Sequence, residues 1–327
     1  MIFDAVTFAV TFVIALVLYP PAIRALRWIK AGQVIQDELP DSHQKKAGTP
    51  TGGGVVFVTI AIVAGLLAMR AGHPGAEPAV AGLIIGGWIG LADDRSKLMV
   101  GTRGIPARLK FPIQVLLAIP VAYLALEFGG KEQIIFAHSV SYWILMPLAV
   151  VAIVGTANAV NLTDGMDGLA GGLSVIAVGA LVLLLPHATF FVSHVPAGEK
   201  AVALSLCGAL VAFLVFNRYP ARVFMGDTGA LAIGYAFAAM AIQQGLMLLL
   251  PLIGLVFVLE TLSVIIQVAY FKVSGGRRVF TMTPIHYTFH HQGWSENRIA
   301  LTFWAAGLLS AVAAYGLLTV LGHLWLA

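Results

Sequence analysis

The chain has 327 residues, of which 59% are hydrophobic and only 10% are charged, and its mean hydropathy is +0.92. Because soluble globular domains carry about 25% charged residues, this composition excludes an ordinary soluble protein and predicts a polytopic integral membrane protein embedded in the lipid bilayer. The net charge of +4 comes without a basic stripe interleaved with aromatic residues, so no nucleic-acid partner is expected.

Apolar stretches close to the length of a bilayer crossing, about 20 residues, recur along the whole chain. They fall at about 3–27, 52–70, 78–93, 110–128, 140–158, 169–187, 200–216, 228–243, 246–272 and 299–326. The expected fold class is therefore all-α, with about ten transmembrane helices. Residues 1–327 are expected to form a single membrane-embedded domain.

The distribution of basic residues predicts the orientation of these spans. The first stretch is followed rather than preceded by basic residues, which indicates a retained span with its N-terminus outside. All but three of the 19 Lys and Arg residues then lie on one side of the membrane, which the positive-inside rule assigns to the cytoplasm. The exceptions are Arg70, Lys131 and Lys200. Ten spans would place the C-terminus outside as well.

The first cytoplasmic connection contains a glycine-rich segment, Lys45–Gly54. It is not a nucleotide-binding P-loop, because no Gly-Lys-Ser or Gly-Lys-Thr ends it. Its glycines could line a phosphate path together with Lys46 and Thr51. A flexible entrance to the second span is an equally good interpretation of this segment alone.

The third stretch ends in Asp93-Asp94-Arg95-Ser96-Lys97. Asp93 and Lys97 are four residues apart and share one face of a helix. Arg108 and Lys110 follow in the same connection, so the bases together could grip a phosphate. The alternative is an ordinary ion pair at a solvated helix end.

A polar, glycine-jointed segment at 158–168 interrupts the apolar pattern. Asparagine or aspartate recurs there every three residues, a spacing that turns slowly around one face of a helix and would point several oxygen ligands the same way. These residues are Asn158, Asn161, Asp164 and Asp167. Gly165 and Gly168 permit tight turns. Hard cations and phosphates suit such a surface.

The connection before the eighth stretch, Phe224–Gly229, places Asp227 where a helix should begin. A capping aspartate is the simpler explanation, worth about 1 kcal/mol. We favour a ligand role, because the flanking glycines allow close backbone approach and polar residues precede the segment. Those residues are Asn217, Arg218 and Arg222.

The ninth stretch contains Glu260 near its middle and Gln267 nearer its cytoplasmic end. An acid inside a membrane is a functional candidate by default, but a hydrogen-bonded packing role fits the mid-span position of Glu260 better. Three histidines around Trp294 in the next connection favour contact with an anion or a substrate. They are His286, His290 and His291.

Taken together, these segments resemble the polyprenyl-phosphate N-acetylhexosamine-1-phosphate transferases nearly end to end. The resemblance rests on Lys46–Thr51, Asp93-Asp94 with Lys97, Ala107–Lys110, Asn158–Ala170, Phe224–Gly229, Glu260–Gln267 and Pro284–His286 leading to Gly293-Trp294. Each motif alone is weak, but their order and spacing are specific. One departure stands out, because the family usually has three consecutive histidines where this chain has His286, Tyr287 and Thr288.

The resemblance implies a Mg²⁺-dependent phosphoglycosyl transferase of the bacterial cytoplasmic membrane, with its active site on the cytoplasmic face. Its expected partners are UDP-MurNAc-pentapeptide and undecaprenyl phosphate, and its products UMP and lipid I. A sister enzyme that uses UDP-N-acetylglucosamine or another UDP-sugar is the main alternative. An ion-coupled transporter is disfavoured, because the acids gather on one face rather than at the midplane. A homodimer is left open.

The resemblance also implies residue roles. Asp227 and Asn161 would be metal ligands, and Asp93, Asp94 and Asp227 would be catalytic. The nucleotide would be bound by Gly165, Met166, Asp167, Asn217 and Phe224. Phosphate and substrate contacts would come from Lys46, Thr51, Lys97, Lys110, Asn158, Asp164, Gln267 and His286.

Overall fold

A computed structural model describes residues 2–29, 48–100, 104–129, 141–188 and 197–326, which are helical and contain no strand. In chain order the helices are α1 Ile2–Trp28, α2 Gly54–Arg70, α3 Glu77–Val100, α4 Ala107–Gly129, α5 Tyr142–Thr163, α6 Leu169–Ala188, α7 Ala197–Asn217, α8 Gly226–Gln243, α9 Leu250–Ile253, α10 Leu255–Val273, α11 Ile285–His291 and α12 Glu296–Leu326. The predicted all-α fold is confirmed.

Seven of the described helices are long and apolar enough to cross a membrane. They are α1, α4, α5, α6, α7, α10 and α12. Helix α2 is apolar but slightly shorter, at 17 residues. Helix α8 lies at the centre of the bundle and is buried from Asp227 to Gln243. These helices confirm a polytopic membrane protein.

One predicted span was wrong. The stretch 246–272 is not one helix, because α9 ends before Gly254 and α10 begins after it. Within the predicted interruption at 158–168, α5 continues to Thr163, so only the two asparagines of the Asn/Asp series lie on that helix. Glycine at 168 has a φ of +74°, a backbone conformation that L side chains rarely adopt, and this favours a turn over continued helix.

Helices α3 and α8 pack antiparallel along three glycines of α3 spaced four residues apart. A Cβ atom added at Gly82, Gly86 or Gly90 would lie 2.9, 2.5 and 2.2 Å, respectively, from the backbone of α8. Small residues at this spacing let two helix backbones approach closely. At the last contact the α8 atom is the carbonyl oxygen of Asp227. This packing places the end of α3 beside the start of α8.

The entrance to α2 is joined to the same end of the bundle by backbone hydrogen bonds. The amides of Gly53 and Gly54 donate to the carbonyls of Phe224 and Met225, at 2.8 and 3.0 Å. In return, the Phe224 amide donates to the carbonyl of Pro50 at 2.8 Å. Segments from three distant parts of the chain therefore meet at the start of α8.

Candidate active site

Two lysines and three aspartates meet where α3, α4 and α8 converge, and we call them the carboxylate–lysine cluster. The Nζ atom of Lys97 lies 2.8 Å from Oδ2 of Asp93 and 2.7 Å from Oδ1 of Asp227. Lys110 Nζ lies 3.4 Å from Oδ2 of Asp93 and also contacts Oδ2 of Asp227. The third aspartate, Asp94, lies 3.9 Å from Lys97. Thus Asp93 and Asp227, distant in sequence, share the same two ammonium groups.

The charges of the cluster stabilise one another. Burial alone would raise the pKa of Asp227, but a hydrogen bond with Asp93 and the charges of Lys110 and Lys97 hold that pKa well below its ordinary value. Burial would likewise lower the pKa of Lys97, but the Asp227 charge and hydrogen bonds to both aspartates raise it. The Asp227 carboxylate and the Lys97 ammonium group are therefore both ionised at neutral pH.

Asp94 differs from Asp93 because its carboxylate oxygens accept hydrogen bonds from the first turn of α8. Its Oδ1 accepts the backbone N–H of Asp227 at 3.1 Å. Its Oδ2 accepts the backbone N–H of Thr228 at 3.0 Å and the Thr228 hydroxyl at 2.7 Å. This is helix capping from a distant residue. The capping role considered as the alternative for Asp227 thus falls to Asp94, which leaves the Asp227 carboxylate facing the lysines.

Asn158 is held on α5 by neighbouring groups. Its Nδ2 atom donates to Oε1 of Gln114 at 2.8 Å and to the carbonyl of Val154 at 2.8 Å. On the same helix, Ala157 packs against Gly234 of α8. A Cβ atom added at Gly234 would lie 2.3 Å from the Cα atom of Ala157. Asn161, one turn further along α5, therefore lies beside the first turns of α8.

The turn after α5 brings a fourth carboxyl group close to the cluster. Burial raises the pKa of Asp164 well above its ordinary value, and the negative charges of Asp227 and Asp94 act in the same direction. Asp164 therefore lies within electrostatic range of the carboxylate–lysine cluster.

Asp167 and Asn217 tie this turn to the connection before α8. Asp167 Oδ2 accepts the backbone N–H of Ala221 at 2.8 Å. Asn217 accepts the N–H of Gly168 at 3.0 Å and donates to the carbonyl of Val223 at 2.9 Å. Both side chains are buried. They form a braced wall at the predicted nucleotide site.

The other residues predicted at the nucleotide site line the same region. Gly165 and Met166 belong to the turn after α5, and Met166 is buried in the core. The partly exposed Phe224 immediately precedes the start of α8. Thr51 also borders the cluster. A Cβ atom added at Gly226 would lie 2.9 Å from the Thr51 hydroxyl oxygen and 2.7 Å from a carboxylate oxygen of Asp94, so both side chains lie close to Gly226. Lys46 lies outside the described residues.

Two predicted substrate contacts are instead engaged with protein groups. Gln267 Oε1 accepts the backbone N–H groups of Val279 and Phe280, each at 3.0 Å. His286 is completely buried, with its Nδ1 atom 3.1 Å from Oε2 of Glu260. Gln267 and His286 thus stabilise the connection between α10 and α11, which we call the α10–α11 corner.

Within the described ranges no three His, Cys, Asp or Glu side chains are placed to hold one metal ion. Mg²⁺, however, is usually held by only one or two carboxylates, with substrate phosphates and water completing its shell. The Asp227 carboxylate fits this requirement, because both its oxygens contact lysine ammonium groups. Such contacts can be exchanged for a cation without breaking secondary structure. Asn161 could add an amide oxygen.

A cavity of about 230 Å³ lies between α5 and the broken α9–α10 segment. Its walls are mostly apolar and include Val151, Gly155 and Ala159 from α5 and Phe257 and Leu262 from α10. Ala159, at one end of this apolar groove, directly follows Asn158 in the chain. Long hydrocarbon chains suit such a surface.

Some residues that build the site were missed by sequence reasoning. The three glycines of α3 could have been found, because their four-residue spacing is a known signal for close helix packing. Gln114 and Thr228, which hold Asn158 and Asp94, are single polar residues without a motif. Only three-dimensional structure reveals their partners.

Comparison with known proteins gives a consistent result. Residues 78–245 match the sequence profile of the family described as Glycosyl transferase family 4. A phospho-N-acetylmuramoyl-pentapeptide-transferase of Bacillus anthracis (strain A0248) is 42% identical over 320 residues, which cover 94% of this chain and 95% of the relative. The enzyme of the same name from Bacillus cytotoxicus is 43% identical over 318 residues, with the same coverage.

Proposed function

Since the chain belongs to glycosyl transferase family 4, and within it to the phospho-N-acetylmuramoyl-pentapeptide-transferases, we propose that it transfers phospho-MurNAc-pentapeptide from UDP-MurNAc-pentapeptide to undecaprenyl phosphate. The products are UMP and lipid I, and the reaction is the first membrane step of peptidoglycan synthesis. The observation that carries this proposal is the meeting of Asp93 and Asp227 around Lys97 and Lys110.

The proposed membrane arrangement has ten spans, both termini outside and the site on the cytoplasmic face of the bacterial inner membrane. Each predicted apolar stretch overlaps a described helix, although the ninth is broken. Asp4 and Lys200, both predicted on the outer side, form an ion pair at 2.8 Å. The cluster lies at the opposite ends of the helices, in the connections that are rich in basic residues. These observations support the orientation.

The nucleotide half of the substrate is assigned to the wall formed by the turn after α5 and the connection before α8. Asp167 and Asn217 brace this wall, and Phe224 offers an aromatic ring at its edge. Backbone amides and carbonyls of the Gly165 turn complete the surface. A planar base and a ribose suit a rigid wall of polar and aromatic groups.

Mg²⁺ is proposed as the cofactor, held by Asp227 and Asn161. When bound, it would neutralise charge on the pyrophosphate and on the departing UMP. The carboxylate oxygens of Asp227 are suitable hard ligands, and their present partners are ammonium groups. Lys97 and Lys110 would then be free to hold phosphate oxygens.

The chemical step requires two anionic phosphates to meet, so the barrier is mainly repulsion and positioning. An oxygen of the lipid phosphate attacks the phosphorus attached to the sugar, and the bond to UMP breaks. Asp93 is placed to take the proton of the lipid phosphate, because its Oδ1 is fixed by the N–H of Ile105 at 2.8 Å while Oδ2 faces the lysines. We favour this direct displacement over a covalent aspartyl intermediate.

The apolar groove is assigned to the isoprenoid chain of undecaprenyl phosphate. Its walls come from α5, α8 and the α9–α10 break. A chain lying in it would present its phosphate toward Asn158 and the cluster. The groove would therefore give the predicted lipid substrate an apolar surface.

The proposal is tested by measuring UMP release from purified protein in detergent with undecaprenyl phosphate. UDP-MurNAc-pentapeptide and UDP-N-acetylglucosamine are supplied in turn, each with Mg²⁺ or with EDTA. We expect release only with UDP-MurNAc-pentapeptide and Mg²⁺. Release from UDP-N-acetylglucosamine alone would assign a sister activity, and equal release in EDTA would exclude the metal role.

A further inference from the structure

A buried acid–imidazole pair lies beneath the turn that follows α5. Glu260 is in the interior of α10, and His286 is in the first turn of α11. Glu260 Oε2 is 3.1 Å from His286 Nδ1, and both side chains are completely buried. Among the described residues, His286 is the only basic side chain within 4.0 Å of the Glu260 carboxyl group. The carboxyl group thus lies against one edge of the imidazole ring.

The other edge of the ring faces the backbone of Gly165. A Cβ atom added there would lie 2.6 Å from Nε2 of His286 and 2.9 Å from the hydroxyl of Tyr287. That hydroxyl donates a hydrogen bond to the carbonyl of Gly165 at 3.2 Å. His286 and Tyr287 therefore form a floor on which the turn rests. Glycine at 165 thus keeps the contact close, since a side chain there would force His286 and Tyr287 to shift.

The energetics of the pair favour a role in geometry over a role in stability. A buried ion pair is often no more stabilising than apolar residues of the same volume, because both groups lose their hydration. A polar pair in such a place can instead specify one arrangement of the groups around it. Here the arrangement specified is the height and orientation of the turn that carries Asp164 and Asp167.

We propose that Glu260 is a positioning residue for nucleotide binding, which acts through His286 on the Gly165 turn. The carboxyl group locks the ring, the ring supports the turn, and the turn presents its polar groups to the nucleotide. His286 then serves from below the binding surface and does not touch the substrate. This inference rests on the proposed function for its assignment of the turn to the nucleotide half of the substrate.

The chain offers a matched control at the other end of the bundle. Glu199 is also a buried glutamate, 1% exposed, and its Oε1 accepts a hydrogen bond from Nε2 of Gln244 at 2.5 Å. It lies at the start of α7, far along the helices from the cluster. Glu199→Gln therefore makes the same chemical change in a similar environment without a link to the turn.

The test compares Glu260→Gln with Glu199→Gln in the full-length protein. UMP binding is measured by calorimetry, and KM is measured separately for UDP-MurNAc-pentapeptide and for undecaprenyl phosphate. For Glu260→Gln we expect the Kd of UMP and the KM of the nucleotide substrate to rise about 10-fold, since small misplacements weaken preorganised sites to this extent. The KM of the lipid substrate and all values for Glu199→Gln should stay at the wild-type level.

A second variant reaches the same contact from the turn. Gly165→Ala places its new Cβ against His286 and Tyr287, so it should also weaken UMP binding. Because both changes act through the same ring, the double variant should lose less than the product of the two single effects. This variant keeps the proposal testable where Glu260→Gln folds poorly.

Other outcomes would overturn the inference. An unchanged Kd of UMP in Glu260→Gln, together with a lower maximal rate, would give the pair a structural or chemical role instead. Equal losses in Glu260→Gln and Glu199→Gln would show a general effect of altering buried acids. A wild-type protein that binds UMP but does not turn over UDP-MurNAc-pentapeptide would contradict the proposed function, while the UMP measurements would still decide the role of Glu260.

Discussion

The carboxylate–lysine cluster and the α10–α11 corner are both polar and buried, but their side chains have different kinds of partner. In the cluster, the two carboxylate oxygens of Asp227 contact the mobile ends of Lys97 and Lys110. In the corner, Gln267 accepts two backbone N–H groups. The Glu260 side chain there faces a completely buried imidazole.

The difference separates groups that can react from groups that hold a shape. A lysine ammonium group can move aside for a metal ion or a phosphate, whereas a backbone amide cannot leave without unfolding a turn. By this criterion Asp94, although it lies in the cluster, belongs with the supporting groups, because its oxygens cap α8. The nature of the partner is therefore a better guide to role than position in the site.

Asp227→Asn should have the largest effect. It removes the charge that both lysines and the proposed Mg²⁺ require, so UMP release should fall at least about 1,000-fold, as for the loss of an essential group in other enzymes. Folding should persist, because Asp94 and not Asp227 caps α8. UMP release at saturating Mg²⁺ and thermal unfolding in detergent measure the two effects.

The control for Asp227→Asn is Asp4→Asn. Asp4 also pairs with a lysine, Lys200, at 2.8 Å, but at the opposite end of the helices. This variant should keep wild-type activity. Wild-type turnover by Asp227→Asn at saturating Mg²⁺ would show that Asp227 is not a reacting group. The kind of partner would then not distinguish reacting groups from supporting groups.

Gly90→Ala should have the next largest effect, because it disturbs the rigid base of the cluster. The new Cβ would lie 2.2 Å from the carbonyl oxygen of Asp227 and force α3 and α8 apart. We expect activity to fall about 100-fold by misplacement of Asp93 relative to Asp227, with a loss of about 1–3 kcal/mol in stability. Gly179→Ala on α6, where no atom lies within 4 Å, is the matched control. Equal activity of the two variants would show that the helix spacing does not set the chemistry.

Gly155→Leu tests the groove without touching either polar region. Gly155 lines the cavity, and no atom lies within 4 Å of an added Cβ, so a leucine should enter the groove rather than disturb the fold. We expect the KM of undecaprenyl phosphate to rise about 10-fold, equivalent to about 1.4 kcal/mol of lost binding. The KM of the nucleotide substrate should not change. Gly179→Leu is the control, and an unchanged lipid KM in Gly155→Leu would place the isoprenoid chain elsewhere.

The fold was largely predictable because hydrophobic stretches report directly on membrane spans. The stretch at 246–272 was misread as one helix because its hydropathy is continuous, and Gly254 alone does not reveal a break. The spacing of Asn158 and its successors predicted a shared direction, but the helix ends at Thr163 and the turn brings Asp164 toward the cluster instead. Composition therefore predicts spans well and their ends poorly.

Within the site, the sequence predicted which residues are polar and close to the membrane surface, but not what they contact. Asp93 and Lys97 share a helix, so their ion pair at 2.8 Å was expected from spacing. The capping of α8 by Asp94 depends on the glycines of α3, which bring two distant segments together. The Glu260–His286 contact likewise joins separate helices. Partners of this kind are set by packing, which local patterns do not encode.

Tyr287→Phe should have the smallest effect and sharpens the comparison most. It removes only the hydroxyl that donates to the Gly165 carbonyl at 3.2 Å. A neutral hydrogen bond contributes about 1 kcal/mol, so the KM of the nucleotide substrate should rise about five-fold while the maximal rate and the lipid KM stay constant. Tyr123→Phe, at a half-exposed position on α4, is the control and should match wild type.

If the α10–α11 corner only supports the site, its variants weaken nucleotide binding and leave the maximal rate unchanged. A lower maximal rate in Tyr287→Phe with unchanged KM would instead show that the α10–α11 corner acts on the chemical step and not on nucleotide binding.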